Sequence, residues 1–345
     1  MMKIGVATTM DDRAPSYHLR FRSMLNALSR QGLVRYYFVV RKTLFGRRTL
    51  SLEEGTDCLL VARVRDLQIL QKLFDHAERR KVPVIYETDD LILFDRRSDA
   101  PADHAEEVAS FLKRAACIIA ATPRLADELR PLNSRTYEFP NLLDPDIWHL
   151  PDRVRARGES RVAICCIGTG LMEENLSFIV PVMEQCERRY GSDVTFSLWG
   201  NARYLGERVR KLKNVTVADR KMPYTAFARH LQQAAYDAGV VPLSDLRFNR
   251  SKSYIKYLEY AVSGIPAVFS RVEAYAGLSH GETCILAENN PGAWQEEISR
   301  MIEDRALRSA LAVRAYQDVR RRFVLDDEWA GKYFSILEKT LAGSG

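Results

Sequence analysis

The sequence predicts an α/β protein built from two successive units, each a parallel sheet covered by helices. Three observations predict it. Short continuous apolar runs alternate with longer amphipathic stretches, the pattern of buried parallel strands joined by helices. The alternation runs through twice, broken at residues 144–160 by Asp-Pro-Asp, Leu-Pro-Asp and a charged Arg-Val-Arg-Ala-Arg-Gly-Glu-Ser stretch of linker composition. The length of 345 residues suits two domains of ordinary size.

In the first half, residues 2–8 read as a strand. Residues 16–31 read as a helix, with Leu19, Met24, Leu25 and Leu28 at helical spacing. Strands follow at 35–40 and at 58–62, the latter entered through Gly55-Thr56-Asp57. A helix at 66–80 leads to a strand at 83–86, and a helix at 104–116 to a strand at 117–121. A helix at 123–129 opens on Pro123, and a strand at 135–139 precedes Pro140-Asn141. In the second half, strands are expected at 162–167, 194–199, 214–217, 238–243 and 267–270. Helices are expected at 174–189, 224–234 and 254–262, the last stopped by Ser263-Gly264-Ile265-Pro266. Three more close the chain near 293–302, 305–322 and 327–341. The expected organisation is a domain over 1–146, a linker over 147–160, a second domain over 161–325 and a C-terminal helix over 326–345. Ligands of such open sheets bind at the carboxyl ends of the strands, so a cleft between the two domains is the expected site.

Composition narrows the function. Hydrophobic residues at 46% and charged residues at 28% exclude a disordered or fibrous chain. No apolar stretch has the length of a signal peptide or of a membrane span. The six cysteines form no C-x-x-C pair and read as reduced core residues of a cytosolic protein. The six histidines form no H-E-x-x-H or Cys/His cluster, so no protein-held metal is expected. Residues 1–50 hold ten basic groups and two acids, a net +8 against +6 for the whole chain. That excess fits an anionic partner or a plain solvated face. Arg41, Lys42, Arg47 and Arg48 flank Leu44-Phe45-Gly46, a basic loop with an apolar tip. Such a loop suits anionic lipid, nucleic-acid phosphates or bare solvent.

The chemistry concentrates in Phe248-Asn-Arg-Ser-Lys-Ser-Tyr-Ile-Lys-Tyr-Leu-Glu-Tyr-Ala-Val-Ser-Gly-Ile-Pro-Ala-Val-Phe-Ser270. Ser251-Lys252-Ser253 opens an amphipathic helix, whose first N–H groups and positive dipole end suit a phosphate. Lys252 adds a full charge there. Glu259, about two turns in, is placed to accept the hydroxyls of a ribose. The alternative is a serine cap with Lys252 and Glu259 as solvated helix charges. In the first half, Asp89 and Asp90 end a strand where sites form, as a hydroxyl-binding pair or as turn residues. Tyr17, His18 and Arg20 begin the first helix at another strand exit.

Lys256-Tyr-Leu-Glu-Tyr-Ala with Gly264-Ile-Pro resembles the C-terminal signature of GT-B glycosyltransferases of the retaining family 4 type, also described as glycosyl transferases group 1. Further elements are similar in order along the chain. They are Tyr86-Glu-Thr-Asp-Asp-Leu, Tyr137-Glu-Phe-Pro-Asn-Leu-Leu-Asp-Pro-Asp-Ile-Trp148, Ile167-Gly168-Thr169-Gly170 and Gly281-Glu-Thr-Cys-Ile-Leu286. The resemblance implies two Rossmann-like domains facing across a cleft, the first for the acceptor and the second for a nucleotide sugar, UDP- or GDP-linked. It implies transfer of the sugar to an acceptor hydroxyl, with retention and without a metal. Donor binding would fall to Gly168, Thr169, Gly170, Ser251, Lys252, Ser253, Tyr254, Ile255 and Glu259. Catalysis would fall to Asp89, Asp90 and Lys252, and acceptor binding to Tyr17, His18, Arg20 and Asp90.

The sequence departs from the family at two points. Ser251 stands where the family carries a glutamate that touches the sugar, eight positions before Glu259. An Arg and a Lys that often follow the first strand of the second domain are absent from Gly168-Thr-Gly-Leu-Met-Glu-Glu-Asn175. These departures keep open a non-catalytic GT-B relative, acting as a carbohydrate binder or partner subunit. A nucleotide-sugar epimerase is a further alternative. The expected location is cytoplasmic, with peripheral contact at the inner membrane face left open. The expected partners are the nucleotide sugar and an anionic acceptor: a lipid-linked glycan, a membrane surface or a nucleic acid.

Overall fold

The computed structural model describes residues 1–42, 48–151, 161–168, 173–200, 207–218 and 222–343. The chain divides into two compact units. One comprises Met1–Asp144, Leu246–Ser253 and Leu325–Gly345, the other Pro145–Asp245 and Tyr254–Val324.

The first unit is a six-stranded parallel sheet. Its strands are β1 (Met2–Thr8), β2 (Val34–Phe38), β5 (Cys58–Ala62), β6 (Val84–Thr88), β7 (Cys117–Ala120) and β8 (Thr136–Glu138), in the order β2-β1-β5-β6-β7-β8. A short antiparallel pair, β3 (Val40–Lys42) and β4 (Arg48–Leu50), stands apart from it. The reading of 35–40 as one strand is corrected here. Val39 donates its N–H to the Val6 carbonyl at 2.8 Å and closes the sheet, and the chain then turns away to pair β3 with β4.

A π-helical turn at Tyr17–Arg22 runs into α1 (Ser23–Arg30). Then come α2 (Leu67–Arg79), α3 (Ala105–Arg114) and α4 (Pro123–Leu129). Local chemistry sets their starts. The Asp66 carboxylate accepts the Ile69 N–H at 3.1 Å, and the Thr122 hydroxyl accepts that of Leu125 at 3.1 Å with Pro123 in the first turn. The apolar face of α2 (Ile69, Leu70, Leu73, Phe74 and Ala77) enters the core beside the wholly buried β5 and β6.

Two later segments complete this unit. The one-turn helix α9 (Arg247–Arg250) sends Phe248 into the same core. The helix α13 (Asp327–Ala342) buries Tyr333, whose ring meets Phe139 at 5.0 Å.

The second unit is also a six-stranded parallel sheet, in the order β11-β10-β9-β12-β13-β14. Its strands are β9 (Val162–Gly168), β10 (Val194–Gly200), β11 (Val215–Ala218), β12 (Ala238–Val241), β13 (Ala267–Ser270) and β14 (Ile285–Ala287). Its helices are α5 (Glu173–Leu176), α6 (Val180–Tyr190), α7 (Glu207–Lys211), α8 (Tyr224–Gln233), α10 (Ile255–Val262), α11 (Pro291–Glu303) and α12 (Arg305–Arg322). The single helix expected over 174–189 is two, because Pro181 has no N–H for the carbonyl of residue 177 and its ring crowds that carbonyl. Trp294, Ile298 and Met301 of α11 and Val182, Met183 and Cys186 of α6 fill the core against β9, β10, β12 and β13. Among the described residues no helix is long and apolar enough to cross a membrane.

Candidate active site

The first unit gathers a charged cluster at the carboxyl ends of β5 and β6. The backbone bends sharply after β6, where the Thr88 hydroxyl donates to the Asp90 carbonyl at 2.8 Å and accepts the Asp90 N–H at 3.2 Å. This turn presents Asp89 and Asp90, both buried. One residue beyond β5, Arg63 sits in the left-handed region at φ 52°, with its N–H on the Glu87 carbonyl at 3.0 Å. A non-glycine residue held there is strained, and such strain gathers at functional sites.

Arg63 is the hub of the cluster. Nη1 lies 3.0 Å from Asp89 Oδ1 and donates to Ser16 Oγ at 2.7 Å, and Nη2 pairs with Asp90 Oδ2. Ser16 in turn donates to Asp89 Oδ2. The segment Leu246–Ser253 brings Lys252, whose Nζ lies 3.2 Å from Asp90 Oδ1. Arg96 stands 4.0 Å from Asp90 Oδ2. Burial pushes the Asp90 carboxyl up, but Lys252, Arg63 and Arg96 outweigh it and hold the group well below the usual carboxylate range. Asp90 therefore stays ionised and is a weak base.

The segment that carries Lys252 is firmly seated. Phe248 is buried in the core, and the Lys252 ammonium sits 4.7 Å from its ring centre. The Thr122 hydroxyl donates to the Ser251 carbonyl at 3.0 Å, and Asn141 Nδ2 donates to Ser253 Oγ at 2.7 Å. Arg247 donates its backbone N–H to Asp99 at 2.6 Å and its Nη2 to Glu128 Oε2 at 2.7 Å. Ser251 is fully buried, and its Oγ makes no hydrogen bond.

The expected acceptor residues separate. Arg20 is 1% exposed, and its guanidinium is paired inside the protein. Nη2 pairs with Glu87 Oε1 at 3.0 Å, and Nη1 donates to the Phe139 carbonyl at 2.7 Å and to Asn141 Oδ1 at 3.1 Å. It joins β6 to the segment after β8. Glu87 also accepts the Tyr333 hydroxyl at 2.9 Å, and burial pushes its carboxyl up to about 7. His18 Nε2 is 2.9 Å from the Asp12 carbonyl, and burial lowers its pKa, which favours the neutral ring. Tyr17 is half-buried, edge-on to Phe21 at 4.9 Å and stacked on Phe38 at 6.2 Å.

In the second unit, Gly168 closes β9, while Thr169 and Gly170 lie outside the described residues, as do positions 44–47 of the basic loop. Tyr254 precedes α10, and Ile255 begins it, so their N–H groups belong to its open first turn. Glu259 lies fully buried in α10. Its Oε2 accepts Lys256 Nζ at 2.5 Å, and the Tyr224 phenol interacts with the same carboxylate. Tyr224 is close enough that burial and the Glu259 charge raise its phenol pKa well above normal.

Arg63 and Lys256 are the residues that sequence reasoning missed. Arg63 is the first long polar side chain after the apolar run Cys58–Ala62, which marks the carboxyl end of a strand. Lys256 precedes Glu259 by three positions, one helical step.

Residues 161–304 match the family model described as Glycosyl transferases group 1. No curated protein matches the chain by sequence. Sucrose-phosphate synthase from Thermosynechococcus elongatus is similar in structure over 99% of this chain and 100% of its own, with a TM-score of 0.74 at 14% identity. HepE from Anabaena, solved with UDP and glucose, is similar over 98% and 100%, with a TM-score of 0.66 at 13% identity. An α,α-trehalose-phosphate synthase (UDP-forming) from Burkholderia vietnamiensis is similar over 100% and 98%, with a TM-score of 0.67 at 12% identity. These likenesses span both sheets and concern the fold. The chain thus has the GT-B fold, and over residues 161–304 its sequence matches the glycosyl transferases group 1 that its motifs resemble.

Proposed function

We propose that this protein transfers a sugar from a nucleotide-sugar donor, UDP- or GDP-linked, to an acceptor hydroxyl, with retention and without a metal. The group 1 match over residues 161–304 supports sugar transfer. The observation that carries the donor reading is Glu259, a fully buried carboxylate in α10 held between Lys256 and the Tyr224 phenol. A carboxylate offers about four lone-pair sites, more than these two neighbours fill, so it has capacity to accept a ribose hydroxyl as well.

In the reaction, the bond between the anomeric carbon and the diphosphate oxygen breaks, and its electron pair leaves with the diphosphate. Lys252 and the first N–H groups of α10 stabilise that growing charge. The acceptor oxygen bonds the anomeric carbon on the same face, and its proton passes to a departing phosphate oxygen. Asp90 keeps its Oδ2 on Arg63 and does not take that proton. Asp89 and Asp90 instead accept hydrogen bonds from acceptor hydroxyls and hold them in line. The basic excess of residues 1–50 favours an anionic acceptor, with a peripheral membrane place for the protein.

The test is a panel of nucleotide sugars read by thermal shift, by slow donor hydrolysis and by NMR of the anomeric configuration released. A donor-specific rise in melting temperature with retained product is expected. No shift with any nucleotide sugar would refute the donor site. A second reading, a non-catalytic carbohydrate binder, is favoured by Ser251 at the position of the family's sugar-binding glutamate. It predicts a shift without turnover.

A further inference from the structure

Lys252 is bonded to a carboxylate at one end of a cluster in which Arg63 and Arg96 also serve that carboxylate. Its Nζ reaches Asp90 Oδ1 at 3.2 Å, longer than the 2.7–2.9 Å of a strong charge-assisted bond. The other oxygen, Oδ2, is held by Arg63, with Arg96 at 4.0 Å. Asp90 would therefore keep cationic partners if Lys252 left. The Lys252 side chain is about one-third exposed on a flexible four-carbon stem, whereas Asp90 is buried and anchored through Thr88. Of the two partners, Lys252 is the one free to move.

We propose that Lys252 is an exchangeable latch: the donor diphosphate takes its ammonium from Asp90, and this frees Asp90 Oδ1 to bind the acceptor hydroxyl. The inference rests on the donor reading given above. A diphosphate carries more negative charge than one carboxylate and offers several oxygens, so it competes well for the ammonium. Arg63 keeps Oδ2 engaged and fixes the orientation of the freed oxygen. The consequence is compulsory order, donor before acceptor. Asp90 is then a positioning residue for Lys252 before the donor arrives and a ligand of the acceptor afterwards.

The latch makes a prediction of unusual sign, because removing a site carboxylate should strengthen donor binding. Asp90→Asn is expected to bind the nucleotide, UDP or GDP, about fivefold more tightly than the wild type, the equivalent of one modest ion pair. Lys252→Ala is expected to weaken that binding. In the Lys252→Ala background, Asp90→Asn should change affinity less than about twofold. A gain that persists there comes from bulk charge and overturns the latch. Unchanged or weaker binding by Asp90→Asn alone overturns it as well, while nucleotide binding by the wild type would leave the donor reading standing. If the wild type binds neither UDP nor GDP, both fall. Should Asp90→Asn fail to fold, the wild type still decides the matter through the 13Cγ resonance of Asp90 followed by NMR during nucleotide titration. A shift at saturation is expected as Lys252 departs. A static resonance in a protein that binds nucleotide overturns the proposal.

Discussion

Lys252 and Asp90, 162 positions apart in the chain, meet with Nζ 3.2 Å from Oδ1. The pairing ties the loop ahead of α10 to the carboxyl end of β6. With the buried Phe248 and the bonds from Thr122 and Asn141, it seats the segment Leu246–Ser253 in the first unit, although its neighbours on both sides belong to the second. A cation that the sequence places beside the helix start proposed to bind phosphate is thus held by Asp90, one of the aspartates proposed to receive the acceptor.

Arg63 should be the cation this cluster can least lose. Its guanidinium faces two buried carboxylates and the Ser16 hydroxyl. Arg63→Ala is expected to cost about 3 kcal/mol, because it strands buried charge. Arg63→Gly should cost about 1 kcal/mol less than Ala, since glycine accepts a positive φ without strain. Urea unfolding of the three proteins gives both differences. An alanine variant as stable as the glycine one would show that the backbone strain is immaterial.

Glu259→Gln should weaken nucleotide binding by roughly tenfold or more, since the amide loses the charge-assisted bond to a ribose hydroxyl. Binding of a 2′,3′-dideoxynucleotide should respond far less to the same change. Isothermal titration with the two ligands measures the contrast. Equal losses for both would place the ribose elsewhere.

The buried pair Arg20–Glu87 predicts a pH dependence of stability. Burial raises the Glu87 carboxyl from an ordinary 4.5 to about 7, partly opposed by Arg20 and Tyr333. The folded state then holds a proton that the unfolded state has released. The Glu87 contribution is present in full below about pH 4.5 and is lost as pH rises to about 7. Glu87→Gln cannot titrate, so the urea midpoint of the wild type relative to this variant should fall across that window and level off above it. A flat difference would mean that Arg20 keeps Glu87 ionised throughout.

Gly239 of β12 has no room for a side chain. A Cβ there would lie 2.5 and 2.7 Å from the Tyr260 ring and 3.3 Å from the Ala267 Cβ. Tyr260 is fixed in turn, because its hydroxyl accepts the Ile167 N–H at 3.0 Å beside the end of β9. Gly239→Ala is expected to destabilise the protein by about 1–3 kcal/mol. It should also weaken nucleotide binding if the end of β9 shifts with the ring. Thermal melting and titration of one variant read both effects.

The fold was legible because its cues are local and repeated. Buried strands such as Cys58–Ala62 and Cys117–Ala120 are apolar throughout, and helices such as α2 and α4 open on Asp66, Thr122 and Pro123. What escaped depends on contacts distant in sequence. Nothing near Arg20 announces Glu87 and Phe139 as partners, so a buried ion-pair residue reads as a cation at a strand exit. Arg63 acquires its meaning only when β5 and β6 lie side by side and the chain after β5 takes a positive φ. Glu259, by contrast, stood out through its place before a Gly-Ile-Pro turn.

The first unit is made of three stretches of chain, and the last of them, Leu325–Gly345, supplies Tyr333 to the buried Glu87. This has a consequence for biosynthesis. The first unit draws Phe248 and Tyr333 from later stretches of chain, so its interior cannot be completed until both have been synthesised. Two gaps wait in that nascent unit, one for Phe248 and one for Tyr333. Vectorial synthesis therefore leaves the second sheet to mature while the first is still incomplete, and a chain cut after residue 324 would expose both the phenol-binding pocket at Glu87 and the face of Phe139.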